Sequence, residues 1–168
     1  MAPWLGLVLF PDGYAPGLAS ISLDRLYLEG VRGIILDLDN TLVAYRAAEV
    51  SPEIAQWVRS ATERGFRIAL VSNNWGDRVA RFGTSLGVPT VHSALKPLPI
   101  AFLRALRVLG TSRRRTVVVG DQLFTDVLGA KLLGMRTILT EPISEHGFVT
   151  TRAMRVVERA LLRIARPR

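Results

Sequence analysis

Cysteine does not occur in the 168 residues. Its absence excludes disulfides, zinc ribbons and thiolate nucleophiles, and it suits a reducing compartment such as the cytoplasm. Histidine occurs only at 92 and 146, without the spacing of a metal-binding pair. Lysine occurs only at 96 and 131, so nearly all of the 22 basic residues are arginine. Long apolar runs are missing as well. The N-terminal stretch 4–10 falls well short of the ~20 residues a spanning helix needs. It also lacks a basic leader and a small-residue cleavage site. We therefore expect neither a transmembrane segment nor a signal peptide.

What remains is a globular composition, 49% hydrophobic and 21% charged. The length is that of one domain, with no linker, repeat or low-complexity tract, so residues 1–168 are expected to form a single unit. The formal charge of +8 fits an anionic partner, whether nucleic acid, phospholipid headgroups or a phosphorylated substrate. A GC-rich genome explains the arginine bias equally well.

Apolar runs at 31–37, 66–71, 88–91, 116–119 and 136–139 read as strands. Between them lie helical patterns. One is opened by Ser51-Pro52-Glu53, with Ser as N-cap and Pro in the first turn, and closed by Gly65. Others cover 77–86, 97–109 and 125–133, each followed by Gly, and a last one covers 151–164. Strands alternating with helices imply βαβ units. The expected fold is α/β, a doubly wound, Rossmann-like parallel sheet in a three-layer αβα arrangement. In such sheets ligands bind beyond the carboxyl ends of the strands.

The polar residues at those ends are distinctive. The first of these strands runs into Asp37-Leu38-Asp39-Asn40-Thr41. Carboxylates at i and i+2 lie on one side of an extended chain. Their mutual repulsion calls for a cation, and Mg²⁺ is the natural hard ion for carboxylate oxygens. The next strand ends in Ser72-Asn73-Asn74, neutral donors suited to phosphate oxygens. Lys96 precedes a helix and could hold a phosphoryl oxygen as a point charge. A later strand ends in Gly120-Asp121, with Asp126 five residues further on, after Gln122, Leu123, Phe124 and Thr125. Each has an ordinary explanation: an Asx turn at Asp39-Asn40, a capped loop at 72–74, a solvated lysine, a helix N-terminal acid at Asp126. It is their joint placement at successive strand ends that points to phosphate chemistry.

The set Asp37-x-Asp39-x-Thr41, Ser72, Lys96 and Gly120-Asp121-x4-Asp126 resembles the four motifs of haloacid dehalogenase (HAD)-type phosphatases. The stretches at 36–42 and 120–127, with Leu9-Phe10-Pro11, are similar to the YqeG subfamily, itself similar to mitochondrial phosphatidylglycerophosphate phosphatases. The resemblance implies that Asp37 is the nucleophile and Asp39 the general acid and base. It implies that Ser72 and Lys96 hold the phosphoryl group, with Thr41 and Asn73 as supports. Mg²⁺ would be ligated by Asp37, the main-chain carbonyl of Asp39 and Asp121, with Asp126 binding through water or orienting that shell. The implied activity is phosphomonoester hydrolysis through an aspartyl phosphate. The implied substrate is a phosphate ester, with an anionic phospholipid favoured over a nucleotide or sugar phosphate.

Many relatives insert a cap domain between these motifs. Here 23 residues separate Ser72 from Lys96 and about thirty separate Thr41 from Ser72. Neither gap holds a folded cap, so an open site is expected unless a homo-oligomer covers it. Gly83-Thr84-Ser85-Leu86-Gly87 matches the elbow of serine hydrolases, but it closes a helix where an elbow must open one. Arg152, Arg155, Arg159, Arg163 and Arg166 recur every three or four residues. They form either a solvated helix face or a basic face for anionic lipid, the latter placing the protein peripherally on the inner membrane surface. A nucleic-acid or ribosome-binding module would use the same arginines, but no RNA-binding aromatic motif supports it.

Overall fold

The computed structural model describes residues 10–144. In chain order the elements are β1 (Gly13–Ala15), α1 (Leu23–Leu28), β2 (Gly33–Leu36), α2 (Pro52–Glu63), β3 (Arg67–Val71), α3 (Gly76–Leu86), β4 (Thr90–Val91), α4 (Pro99–Leu109), β5 (Thr116–Gly120), a π-helical turn (Leu123–Val127), α5 (Leu128–Lys131) and β6 (Arg136–Thr140). All strand pairs are parallel. Their order across the sheet is β1-β6-β5-β2-β3-β4. The chain proceeds from β2 outward to β4, then returns across the sheet to β5 on the other side of β2. The crevice between the carboxyl ends of β2 and β5 is therefore the topological switch point, where open α/β sheets bind ligands.

The sheet lies between two helical layers, and the period of two along each strand shows it. Ile34, Leu36, Ile68, Leu70, Val117 and Val119 pack in one apolar cluster with Trp57 and Val58 of α2 and Val79 and Phe82 of α3. Ile35, Ala69, Val71 and Val118 face the other way, against Phe102, Ala105 and Leu106 of α4 and Ala130 of α5. This is why β2 and β5 read as unbroken apolar runs, since both faces are buried. The three-layer α/β fold expected from the sequence is present. Ser51 caps α2 as expected, its hydroxyl accepting the Ile54 N–H at 3.3 Å.

Other details depart from expectation. The helix expected over 125–133 is a π turn followed by four α-helical residues, because the chain widens there to bring Asp126 back toward the strand end. The strand expected over 88–91 contributes only Thr90 and Val91 to the ladder, where they pair with Leu70 and Val71. Two elements were not anticipated. The three-residue β1 gains its strand character only by pairing with β6, and α1 is a six-residue helix capped by Ser22. The stretch 4–9, His146 and the expected helix 151–164 with its arginine stripe lie outside the described residues.

The space between Thr41 and Ser72 is taken by α2 and β3, and that between Ser72 and Lys96 by α3 and β4. Among the described residues no helix is long and apolar enough to cross a membrane.

Candidate active site

Asp37 follows β2 directly, and its backbone N–H still donates to the Val119 carbonyl of β5 at 2.9 Å. Asp121 follows β5. The two carboxylates are thus set side by side by the ladder itself. Gly120 lets a third join them. A Cβ at that position would overlap the Asp126 carboxylate, so the close return of the π turn requires glycine there. Asp126 Oδ2 accepts the Gln122 N–H at 3.2 Å, which ties the turn to the strand end. One carboxylate oxygen from each of Asp37, Asp121 and Asp126 lies within 4.8 Å of the others, and all three residues are buried.

Lys96 enters this acidic group from the loop between β4 and α4. Its Nζ donates to Asp37 Oδ1 at 2.5 Å and to Asp126 Oδ1 at 2.6 Å. The loop is strained: Ser93 has φ 47 and Leu95 φ 55, a left-handed conformation that costs L-residues ~1–2 kcal/mol each. Asn73 holds it in place. The Lys96 N–H donates to Asn73 Oδ1 at 2.7 Å, and Asn73 Nδ2 donates to the Lys96 carbonyl at 3.2 Å. The sequence grouped Asn73 with the phosphate-binding residues. The structure shows its side-chain amide engaged with the Lys96 backbone. Ser72 is buried, and its Oγ accepts the Asn74 N–H at 3.1 Å. An oxygen accepting in this way keeps its own proton to donate.

Burial dominates the electrostatics. Desolvation pushes the Asp37 carboxyl up. Lys96 opposes this, Asp126 and Asp39 reinforce it, and the result is about 7. For Lys96 burial acts downward, but Asp126 and Asp37 outweigh it and hold the ammonium charged, above the usual lysine value. Three carboxylates around one ammonium leave a negative excess, the condition under which a divalent cation binds. Two buried oxygens bear on this directly: Asp37 Oδ2 and Thr41 Oγ1 make no hydrogen bond. An orphaned carboxylate oxygen beside two further carboxylates fits a hard cation.

Asp39 is set apart from this group. Its Oδ1 accepts from Arg78 at 2.7 Å and its Oδ2 from Asn74 Nδ2 at 2.5 Å. Arg78 also donates to the Ala47 carbonyl at 3.2 Å. Asp39 lines a cavity of about 390 Å³ with Tyr45, Arg46, Asn74, Trp75 and Arg78 among its walls. Sequence reasoning missed Asn74 and Arg78 as partners of Asp39. The available signal was position: Arg78 sits in the first turn of α3, where the helix dipole disfavours a cation. The serine-hydrolase match is a coincidence of spacing. Gly83, Thr84, Ser85 and Leu86 are the last residues of α3, and Ser85 Oγ donates to the Phe82 carbonyl at 3.0 Å. His92 is exposed and has no part in the acidic group.

Comparison with known proteins agrees with this geometry. A HAD-hydrolase-like family model matches residues 94–142, which hold Lys96, Asp121 and Asp126. The chain is 41% identical over 153 residues to the probable phosphatase YqeG of Bacillus subtilis, covering 90% of this chain and 88% of that protein. The chain belongs to the YqeG family of HAD-type phosphatases. It is also 29% identical over 167 residues to phosphatidylglycerophosphate phosphatase 1 of Arabidopsis thaliana. That alignment takes in 92% of this chain but 47% of the plant protein. Among solved structures, the cobalt-bound deoxy-D-mannose-octulosonate 8-phosphate phosphatase of Haemophilus influenzae superposes with a TM-score of 0.53. It is 15% identical and the match covers 82% of this chain and 91% of that one, so the likeness is one of fold. This phosphatase thus shares the HAD-type scaffold, with its acidic group at the switch point.

Proposed function

We propose that residues 1–168 form a single-domain Mg²⁺-dependent phosphomonoesterase that works through an aspartyl phosphate, with phosphatidylglycerophosphate as substrate. The observation that carries the reaction is the contact of Lys96 Nζ with Asp37 and Asp126 beside the unpaired Asp37 Oδ2. Asp37 supplies the attacking oxygen. That oxygen bonds to phosphorus as the ester P–O bond breaks, and Asp39 protonates the departing oxygen. Asp39 then takes a proton from water. The water oxygen bonds to phosphorus, the Asp37–phosphorus bond breaks, and inorganic phosphate leaves.

Lys96 and Ser72 neutralise and hold the phosphoryl oxygens, with Thr41 as a support, and Lys96 stays charged throughout. Asn74 and Arg78 orient Asp39. Asp37, Asp121 and the main-chain carbonyl of Asp39 are the proposed Mg²⁺ ligands, with Asp126 orienting them. The ion, when bound, screens the carboxylates from one another and from the phosphate they must approach.

Three features support a lipid phosphate: the similarity to the plant phosphatidylglycerophosphate phosphatase, the absence of an inserted cap among the described residues, and the charge of +8. The phosphatase would then work peripherally at a membrane surface. A phosphate-release screen tests this, with phosphatidylglycerophosphate in mixed micelles compared against sugar and nucleotide phosphates. Expected is Mg²⁺-dependent release with the highest kcat/KM on the lipid, absent in Asp37→Asn. A higher kcat/KM on a soluble ester would overturn the lipid assignment.

A further inference from the structure

Large apolar side chains at the mouth of the site point outward with nothing to pack on. Trp75 is 86% exposed, Leu95 66% and Leu98 52%. Trp75 follows Asn74, the partner of Asp39, and leads into α3. Leu95 precedes Lys96, and Leu98 closes the same turn, its N–H donating to the Leu95 carbonyl at 2.9 Å. The two loops are tied together, since the Ser93 N–H donates to the Asn74 carbonyl at 3.0 Å. A branched side chain gains nothing locally from φ 55, the conformation in which Leu95 is displayed. Such strain is retained where the outcome serves a site.

Cations stand on the same rim. Arg46 and Arg81 are exposed and share the Asp39 cavity with Trp75. Asp77 and the half-buried Arg78 complete that wall, and Arg78 is engaged with Asp39. An aromatic and two leucines flanked by arginines match the boundary of an anionic bilayer, where indole and aliphatic groups enter the headgroup region and guanidiniums meet lipid phosphates. A nucleic acid would use Trp75 and the arginines but gain nothing from Leu95 and Leu98.

We propose that Trp75, Leu95 and Leu98, with Arg46 and Arg81, form a bilayer-docking rim that seats the open site on an anionic lipid surface. The proposal rests on the lipid-phosphate reading above and adds the surface by which the enzyme reaches its substrate. On this rim the substrate phosphate meets Lys96 while its acyl chains stay in the membrane. No groove for those chains is needed in the protein.

Tryptophan fluorescence tests it. In a Trp4→Phe background the remaining indoles are the buried Trp57 and the exposed Trp75. Vesicles of phosphatidylglycerol with brominated acyl chains should quench the emission and shift it to the blue, and Trp75→Phe should abolish both effects. The double variant Leu95→Ser/Leu98→Ser should bind these vesicles at least about tenfold more weakly, the loss expected for removing one large side chain from an apolar medium. Its hydrolysis of p-nitrophenyl phosphate should be unchanged. Unaltered vesicle binding by the double variant, or no quenching of Trp75 by acyl-chain bromine, overturns the proposal. So does a blue shift that depends on protein concentration without vesicles, which would mean that a second copy covers the rim. The soluble-ester assay with Asp37→Asn as control reports separately on the phosphatase reading, so failure of one is not mistaken for failure of the other.

Discussion

Asp37 is asked to be buried, close to two other carboxylates and nevertheless an anion when it attacks phosphorus. Its folded value of about 7 lies above the ordinary value near ~4 that it has in the unfolded chain. A raised folded pKa means that the native state holds this proton more tightly than the unfolded state does. Its stabilising contribution is therefore complete below pH ~4 and is lost as the pH rises through about 7. In EDTA, urea midpoints of the wild type should fall relative to those of Asp37→Asn across that window, and Mg²⁺ should remove the difference. Asp37→Asn should also abolish turnover while keeping the native circular dichroism, because an amide is a poor nucleophile. Lys96→Met leaves Asp37 and Asp126 without their shared cation. Removing one partner of a buried ion pair costs about 3–5 kcal/mol, which urea unfolding in EDTA would register. These residues were legible in the sequence because each directly follows a strand or sits in a recognisable motif. The partners of Asp39 were not, since Asn74 and Arg78 meet it only when the ends of β2 and β3 are brought together.

At the scale of elements, the Lys96 loop depends on Asn73 for its position. Asn73→Ala should lower kcat although Lys96 remains, and cost about 1–3 kcal/mol for the lysine backbone groups left unpaired. An unchanged kcat would show that the loop holds itself. The junction of α3 and β4 makes a contrasting case. A Cβ at Gly83 would overlap Thr90 Cγ2 and come within 2.8 Å of the Val88 carbonyl oxygen. Gly83→Ala should therefore destabilise the fold by about 1–3 kcal/mol, while Ser85→Ala leaves turnover intact, contrary to any serine-hydrolase reading of that stretch. The central strands could be read from sequence because burial on both faces makes them continuously apolar. The π turn after β5 could not, because its widening answers to the position of Asp126 and leaves no periodic trace. Nor could β1, whose three residues become a strand only through β6.

For the whole molecule, the acidic group ought to make folding and metal binding one equilibrium. A ligand that binds only the native state at a hundred times its Kd adds about 2.7 kcal/mol. Thermal or urea unfolding should show a gain of that order on adding saturating Mg²⁺. Asp121→Ala should sharply reduce it, and a wild-type Mg²⁺ titration in that variant would remove Asp121 from the ligand set. The sheet order explains why one ion could serve residues so far apart in the chain. Asp37 and Asp121 are 84 positions apart in number, but β2 and β5 are hydrogen-bonded neighbours.

The amino-acid sequence by itself determined the α/β class, the central strands and which carboxylates, hydroxyl and lysine stand at their carboxyl ends. Those follow from local rules: period, capping, and the chemistry that each motif allows. Only the tertiary structure decided that Asn73 serves the lysine loop, that Asn74 and Arg78 hold Asp39, and that Trp75, Leu95 and Leu98 are left facing outward beside the site. Such relations are set by contacts between segments far apart in sequence, where the sheet order places side chains together and local pattern carries no record of the partner.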